Sequence, residues 1–187
     1  MRIHPTAIEG LLVLELNMHE DERGFFMETW RDSWAGKLKL PRPFIQDNTA
    51  RSNAPGVVRG LHFQAPPAAQ AKLVWATSGA VFDVAVDIRK GSPTYGQWHG
   101  LVLSRSNRLR FFVPEGFAHG YMTLEPDTEI QYKVNAYYSP EHEGGLRFDD
   151  PAPAVAWPGL KPVVAERDRA YPLMEAFQSP FEYRKKR

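Results

Sequence analysis

The pattern of apolar and polar positions in this chain is typical of a protein built from short β-strands. The clearest example is 80–88, where Phe82 and Val84 alternate with Asp83, and Asp87 repeats the polar position further along. Similar runs recur along the chain and are separated by turns that contain Gly, Pro or polar residues. They predict extended segments at 11–16, 25–30, 44–48, 57–64, 72–77, 80–88, 98–103, 108–113, 121–124, 129–134 and 154–157.

The connections between these segments are predicted to be turns. We interpret 98–103 and 108–113 as the two strands of a hairpin. The stretches 19–24 and 114–120 are expected to form a polar turn and a tight loop, which would place His119 in a loop.

Helix is scarce in this pattern. Only 31–39 and 171–178 are plausible helices. Pro41 and Pro43 follow the first of these segments and are expected to end its helix. This leaves too little helix for parallel βαβ units. We therefore predict a single all-β domain over 1–187, a jelly-roll barrel with a few short flanking helices.

Composition narrows the classes of function. The 187 residues carry a formal net charge of +1 and no Cys, which excludes disulfides, zinc–thiolate sites and thiol catalysis. No apolar run reaches membrane-spanning length, and no signal peptide is evident behind Met1, so we expect a cytoplasmic protein without a membrane partner. The basic ending at 184–187 is more typical of a solvated tail than of a nucleic-acid site.

The stretch 57–64 places unusual side chains on an apolar run. His62 and Gln64 share one face of a regular strand, and Arg59 lies on the other unless a bulge at Gly60 moves it. Lys72 begins the next apolar segment. A His can remove a proton from carbon, and an Arg and a Lys can bind an anionic substrate. The same pattern also fits a structural role, in which the His is buried in the core and the aliphatic parts of the Arg and Lys side chains pack against apolar surface.

Three further side chains could contribute chemistry. Tyr132 is a candidate acid if a base faces it across a cavity, and Asp168 could orient the ring of a His. A core tyrosine and an exposed acid are the ordinary interpretations of the same residues. No two His residues form the His-x-His pair of metal-binding β-barrels, so we expect no metal site.

Several motifs together resemble the dTDP-4-dehydrorhamnose 3,5-epimerase family, which acts in dTDP-L-rhamnose synthesis. The resemblance runs over most of the chain, and the order of the motifs makes it specific. The motifs are Asp21-Glu22-Arg23-Gly24-Phe25-Phe26-x-Glu28, Gln46-Asp47-Asn48, Val58-Arg59-Gly60-Leu61-His62-Phe63-Gln64, Gln70-Ala71-Lys72-Leu73-Val74, Phe82-Asp83-Val84-Ala85-Val86-Asp87-Ile88-Arg89-Lys90, Pro114-Glu115-Gly116-Phe117-Ala118-His119-Gly120 and Tyr137-Tyr138-Ser139-Pro140.

The resemblance implies a cupin-like jelly-roll homodimer that uses neither metal nor cofactor. It implies conversion of dTDP-4-dehydro-6-deoxy-D-glucose into dTDP-4-dehydro-L-rhamnose. By position, His62 and Asp168 match the base and its partner, Tyr132 the acid, and Lys72 the cation beside the enolate. The implied substrate contacts are Arg23, Glu28, Gln46, Asn48, Arg59, His119, Tyr138, Glu143 and Arg167, with Tyr138 stacking on the thymine.

The chain departs from the family pattern at Ala50, Trp75 and Arg167, none of which removes a catalytic group. Three alternatives stay open at this stage. One is an epimerase that inverts only C3 or only C5 of a related dTDP-4-keto-6-deoxy sugar. The others are a metal-dependent cupin and a non-catalytic sugar-nucleotide binder.

Overall fold

The strands of the protein were located in a computed structural model, which describes residues 1–184. The remainder of the basic tail, 185–187, lies outside the described residues. The strands are β1 (Arg2–Pro5), β2 (Leu12–Glu15), β3 (Met18–Asp21), β4 (Gly24–Met27), β5 (Gln46–Ser52), β6 (Val57–Gln64), β7 (Lys72–Ser78), β8 (Ala80–Asp87), β9 (Trp98–Ser104), β10 (Arg110–Val113), β11 (Phe117–Thr123), β12 (Thr128–Val134), β13 (Glu143–Gly145) and β14 (Val163–Val164).

Helical structure is limited to single turns. The helix α1 (Glu166–Arg169) is the α-helical segment of the described chain, and three 3-10 turns lie at Asp32–Trp34, Pro140–His142 and Met174–Ala176. The predicted helices at 31–39 and 171–178 are therefore too long, because each segment contains only one 3-10 turn of three residues. Both segments pack apolar side chains against a sheet, and that packing selects an irregular path over a continuous helix.

Two sheets form the body of the molecule. The first has the order β1-β2-β10-β7-β12-β5, and the second has the order β13-β6-β11-β8-β9 with β14 paired to β6. From β5 to β8 each successive strand enters the opposite sheet, and the same exchange repeats from β9 to β12. This crossing pattern confirms the predicted jelly roll with a few short helices.

A hydrophobic core fills the space between the sheets. Val74 and Phe111 from the first sheet pack with Val81, Ala85 and Phe117 from the second, and all are at most 3% exposed. Burying one such large side chain contributes about 1.5–3 kcal/mol. Further clusters cover the outer faces of both sheets, which explains why β8 is apolar on both faces.

The predicted hairpin of 98–103 and 108–113 is wrong. β9 pairs with β8 in the second sheet, whereas β10 pairs with β2 and β7 in the first. At the turn between them the Asn107 side chain binds the amide of Ser104 at 3.1 Å and the carbonyl of Val102 at 2.8 Å. Alternation marks a strand but not its partner, so a change of sheet looks like a hairpin in sequence.

Three local expectations also need correction. His119 lies in the fully buried strand β11, not in a loop, because small residues on either side let neighbouring backbones approach. Most of the expected polar turn at 19–24 belongs to the β3–β4 ribbon, where solvent on both faces tolerates polar strand residues. The expected strand at 154–157 is a turn and an irregular segment whose Trp157 packs on the second sheet without joining it.

Candidate active site

A bulge in β6 brings Arg59 and His62 to the same cavity. His62 pairs with His119, and Arg59 pairs with Tyr121 on β11. Gly60 and Leu61 therefore lie opposite the single residue Gly120, which is a β-bulge. Gly60 makes this possible, because its φ is +138° and a Cβ there would lie 2.5 Å from the Cα of Gly120. Both side chains line a cavity of about 680 Å³, so the bulge considered from the sequence is present.

His62 and Asp168 form a hydrogen-bonded pair at this cavity. The distance from His62 Nε2 to Asp168 Oδ1 is 2.8 Å, and the Gly60 amide donates to Asp168 Oδ2 at 3.2 Å. Asp168 is on α1, which follows directly after β14 and its parallel pairing with β6. Since a carboxylate only accepts hydrogen bonds, His62 Nε2 carries a proton and Nδ1 is left as the basic nitrogen.

The environment keeps Asp168 ionised although it is only 3% exposed. Burial acts to raise the pKa of this carboxyl, but the hydrogen bond and charge of His62 and the Gly60 amide outweigh it, and the pKa is lowered overall. An ionised Asp168 can hold the ring of His62 in one tautomer and stabilise its protonated form.

Lys72 and Tyr132 reach the cavity from the opposite sheet. They lie on the adjacent strands β7 and β12, whereas His62 lies on β6 of the second sheet. Burial lowers the pKa of Lys72 to about 8, although the negative charges of Asp83 and Glu143 act to raise it. Burial also raises the pKa of Tyr132, while the charge of Arg59 opposes that increase. A base on one wall therefore faces a phenol and a cation on the other.

A second His–carboxylate pair lies beside the first. His119 Nε2 is 2.8 Å from Asp83 Oδ1, and the two residues are 7% and 0% exposed. In the sequence, Asp83 has no predicted role beyond its polar position in the segment of β8. A charged residue at an alternate position of an otherwise buried strand was the signal that could have identified it.

Tyr121 was also missed as a residue of the cavity wall. It is 6% exposed, and burial raises the pKa of its phenol to about 12, although the charge of Arg59 and the neighbouring Ser52 hydroxyl act to lower it.

The mouth of the cavity carries Tyr138, Glu143 and Arg167. The Tyr138 hydroxyl donates to Glu143 Oε2 at 2.7 Å, and Arg167 donates to Glu143 Oε1 at 3.1 Å. Arg167 also contacts Asp168 Oδ1 at 3.4 Å. Tyr138 is 55% exposed, so an aromatic face is open to solvent at the entrance.

The remaining predicted contacts lie outside this cavity within the single chain. Gln46 and Asn48 bind each other on β5, with Asn48 paired to Tyr132 across the strands. Arg23 binds Asp21, and Glu28 binds Arg31 on the exposed N-terminal part of the molecule.

The three residues that depart from the family pattern, Ala50, Trp75 and Arg167, lie in different parts of the structure. Trp75 packs on the outer face of the first sheet beneath Arg110, whose guanidinium carbon lies 4.4 Å from the ring centroid. It thus lies away from the cavity, whereas Ala50 and Arg167 line it.

Across residues 1–184, no cluster of three or more His, Asp or Glu side chains has the geometry of a metal site. The same part of the chain contains no helix of the length and apolar character needed to cross a bilayer.

The fold and the site together define a cupin-like jelly-roll protein with ionisable side chains on both walls of one cavity. The profile of the dTDP-4-dehydrorhamnose 3,5-epimerase family matches residues 5–176, and the chain belongs to this family.

Individual relatives agree with this assignment. The chain is 49% identical over 184 residues to a dTDP-4-dehydrorhamnose 3,5-epimerase from Sinorhizobium fredii, covering 98% of this chain and 94% of the relative. A dTDP-6-deoxy-D-glucose-3,5-epimerase from Legionella pneumophila, solved in complex with dTDP-4-keto-L-rhamnose, is 41% identical, with a TM-score of 0.93 and 98% of each chain covered. A 3'-monoepimerase from Streptomyces bikiniensis, in complex with dTDP-quinovose, is 30% identical, with a TM-score of 0.85 and coverage of 92% of this chain and 87% of that one.

Proposed function

We propose that this protein inverts C3 and C5 of dTDP-4-dehydro-6-deoxy-D-glucose to give dTDP-4-dehydro-L-rhamnose. The observation that supports this most directly is the placement of the His62–Asp168 pair on one wall of the cavity and of Tyr132 and Lys72 on the other. A sugar between the walls would meet a base on one face and a phenol on the opposite face, as inversion at carbon requires.

The chemistry follows from the C4 ketone of the substrate, which acidifies the hydrogens on C3 and C5. His62 removes one of these protons, and the electron pair of the broken C–H bond moves to the C4 oxygen as an enolate. Lys72, in its protonated form, stabilises that charge in a preorganised site. Tyr132 returns a proton to the opposite face of the carbon. Each inversion removes and returns one proton, so the reaction consumes no redox equivalent.

The mouth of the cavity suits the nucleotide portion. Arg59 and Arg167 can neutralise a diphosphate, since a guanidinium offers paired donors to phosphate oxygens. The exposed Tyr138 ring provides a surface on which a thymine base can stack. A similar enzyme binds a dTDP-sugar product in its solved complex.

A homodimer would account for the site residues that lie outside the cavity. Arg23 belongs to the β3–β4 ribbon, which forms a separate two-stranded sheet with Phe25 and Phe26 52% and 72% exposed. We infer that the ribbon packs against a second copy of the chain and that Arg23 and Glu28 contact the substrate of that copy.

The test is incubation of the substrate with chelator-treated protein in heavy water, with deuterium located by mass spectrometry and product configuration read by NMR. Deuterium at both C3 and C5 with an L-configured product is the expected result. Inversion and labelling at one carbon only would replace the proposal by a single-site epimerase, the activity of the Streptomyces bikiniensis relative. Binding of dTDP without exchange would indicate a non-catalytic binder, and activity lost to chelator and restored by a metal would indicate a metal-dependent enzyme.

A further inference from the structure

The buried amide of Gln64 connects three segments of the site. Gln64 ends β6, two residues after His62, and is 4% exposed. Its Nε2 donates to the carbonyl of Ala68 at 2.7 Å and to the carbonyl of Tyr137 at 3.1 Å, and its Oε1 accepts from the amide of Ser139 at 2.9 Å.

Two of these bonds hold the backbone on either side of Tyr138. The Tyr137 carbonyl belongs to the peptide group before Tyr138, and the Ser139 amide belongs to the peptide group after it. The relative orientation of these two groups is set by φ and ψ of Tyr138, so one rigid side-chain amide fixes both dihedral angles. The direction in which the Tyr138 side chain leaves the backbone is thereby fixed.

The other end of Tyr138 is held separately, through its hydroxyl bond to Glu143 at 2.7 Å. Because the ring itself is 55% exposed, little packing is available to orient it. Its position over the cavity mouth depends on these polar contacts. Without them the ring would have to be ordered when ligand binds, at a cost in conformational entropy.

We propose that Gln64 is a positioning residue for the nucleotide, one that preorganises Tyr138 to receive the base. This inference rests on the proposed function for the identity of the ligand. Within residues 1–184 the Gln64 side chain lines the cavity but forms no hydrogen bond with the proposed proton-transfer groups, so its removal weakens ligand binding and raises KM while kcat for bound substrate is retained.

The test is a double-mutant cycle between Gln64→Leu and Tyr138→Ala, read by the Kd of dTDP and by KM and kcat. With Tyr138 present, Gln64→Leu is expected to raise Kd and KM about tenfold and to change kcat less than about twofold. With Tyr138→Ala already introduced, Gln64→Leu should raise Kd less than about twofold, because the residue through which it acts is gone.

Matched variants separate positioning from loss of folding. Asn107→Leu removes a side-chain amide that likewise makes three backbone hydrogen bonds in a loop, to Val102, Ser104 and Leu109, away from the cavity. It should leave Kd unchanged. Gln64→Glu has the shape of the native residue and keeps the acceptor for Ser139, but when ionised it sets a carboxylate oxygen against the carbonyls of Ala68 and Tyr137. With Tyr138 present it should therefore raise Kd at least as much as Gln64→Leu does, and with Tyr138→Ala already introduced it should raise Kd much less. This variant also provides the test if Gln64→Leu does not fold.

An equal loss of dTDP affinity in both Tyr138 backgrounds would overturn the proposal, as would a loss confined to kcat or an effect no larger than that of Asn107→Leu. Failure of the native protein to epimerise would instead overturn the proposed function. The dTDP-binding cycle needs no turnover, so the two failures can be told apart.

Discussion

At the scale of the residue, Tyr132 is the proposed acid and lines the cavity from the sheet opposite that of His62. Replacing it by Phe removes the proton donor but leaves the base and Lys72 in place. We expect Tyr132→Phe to reduce epimerisation about 10²–10⁴-fold and to reduce hydrogen exchange much less, because the enolate can regain a proton on its original face. The measurement compares deuterium incorporation with product configuration.

Tyr95→Phe is the matched control, since Tyr95 is a partly exposed tyrosine outside the cavity. Epimerisation by Tyr132→Phe at the native rate would show that Tyr132 is not the acid.

The pKa of Lys72 predicts the pH above which activity declines. Burial lowers its pKa to about 8, and the protonated form is the one that stabilises an enolate. Activity is therefore expected below this pKa and should decline as the pH rises through about 8 in the profile of kcat/KM, which reports the free enzyme. An anionic substrate favours the charged lysine, so the decline in kcat should occur at higher pH.

Lys72→Arg provides the comparison, because a guanidinium stays protonated throughout this range. Even with reduced activity, this variant should lack the decline near pH 8. An unchanged alkaline limb in Lys72→Arg would assign that limb to another group.

At the scale of the element, the bulge of β6 depends on Gly60. An alanine would adopt an unfavourable φ near +138° and would place its Cβ 2.5 Å from the backbone of Gly120. We expect Gly60→Ala to lower the free energy of unfolding by about 2–5 kcal/mol and to impair activity through misplacement of Arg59 and His62. Chemical denaturation and a kinetic assay on the folded fraction measure these two effects.

Gly159→Ala is the control, since an added Cβ there meets no atom within 4 Å and its φ is not positive. Equal stability of Gly60→Ala and Gly159→Ala would show that the bulge accommodates a side chain.

The length of a strand or helix decides whether it can be recognised in the sequence. Apolar runs bounded by turn residues identified β6, β7 and β12, and alternation identified β8, because both patterns are visible locally in the sequence. The two residues of β14 and the single turn of α1 are too short to produce a period, yet together they deliver Asp168 to His62. The sequence offered Asp168 as a possible orienter of a His ring, but only the family resemblance paired it with His62, which lies 106 positions away along the chain.

At the scale of the whole molecule, the proposed homodimer predicts that two defective chains can complement each other. In a heterodimer of Arg23→Ala and His62→Ala, one cavity has His62 from its own chain and an intact Arg23 from the partner. Heterodimers isolated with two affinity tags should therefore show about half of the native activity at substrate concentrations well below KM. The homodimers of each variant are assayed in parallel.

If Arg23 served the cavity of its own chain, both cavities of the heterodimer would be defective. No recovery above the homodimers would then be seen. A monomer in solution would contradict the dimer itself.

The sequence by itself determined the strand content, the scarcity of helix and, through its ordered motifs, the family. Strand content and scarcity of helix follow from local periodicity, and the family follows from the order of the motifs, so neither needs knowledge of what lies nearby in space. The tertiary structure decided that β9 and β10 join different sheets, that His119 is a buried strand residue paired with Asp83, and that Arg59 shares a cavity with His62. It also decided that Gln64 holds the backbone around Tyr138. Each of these depends on contacts between distant segments, which form only when the two sheets pack together.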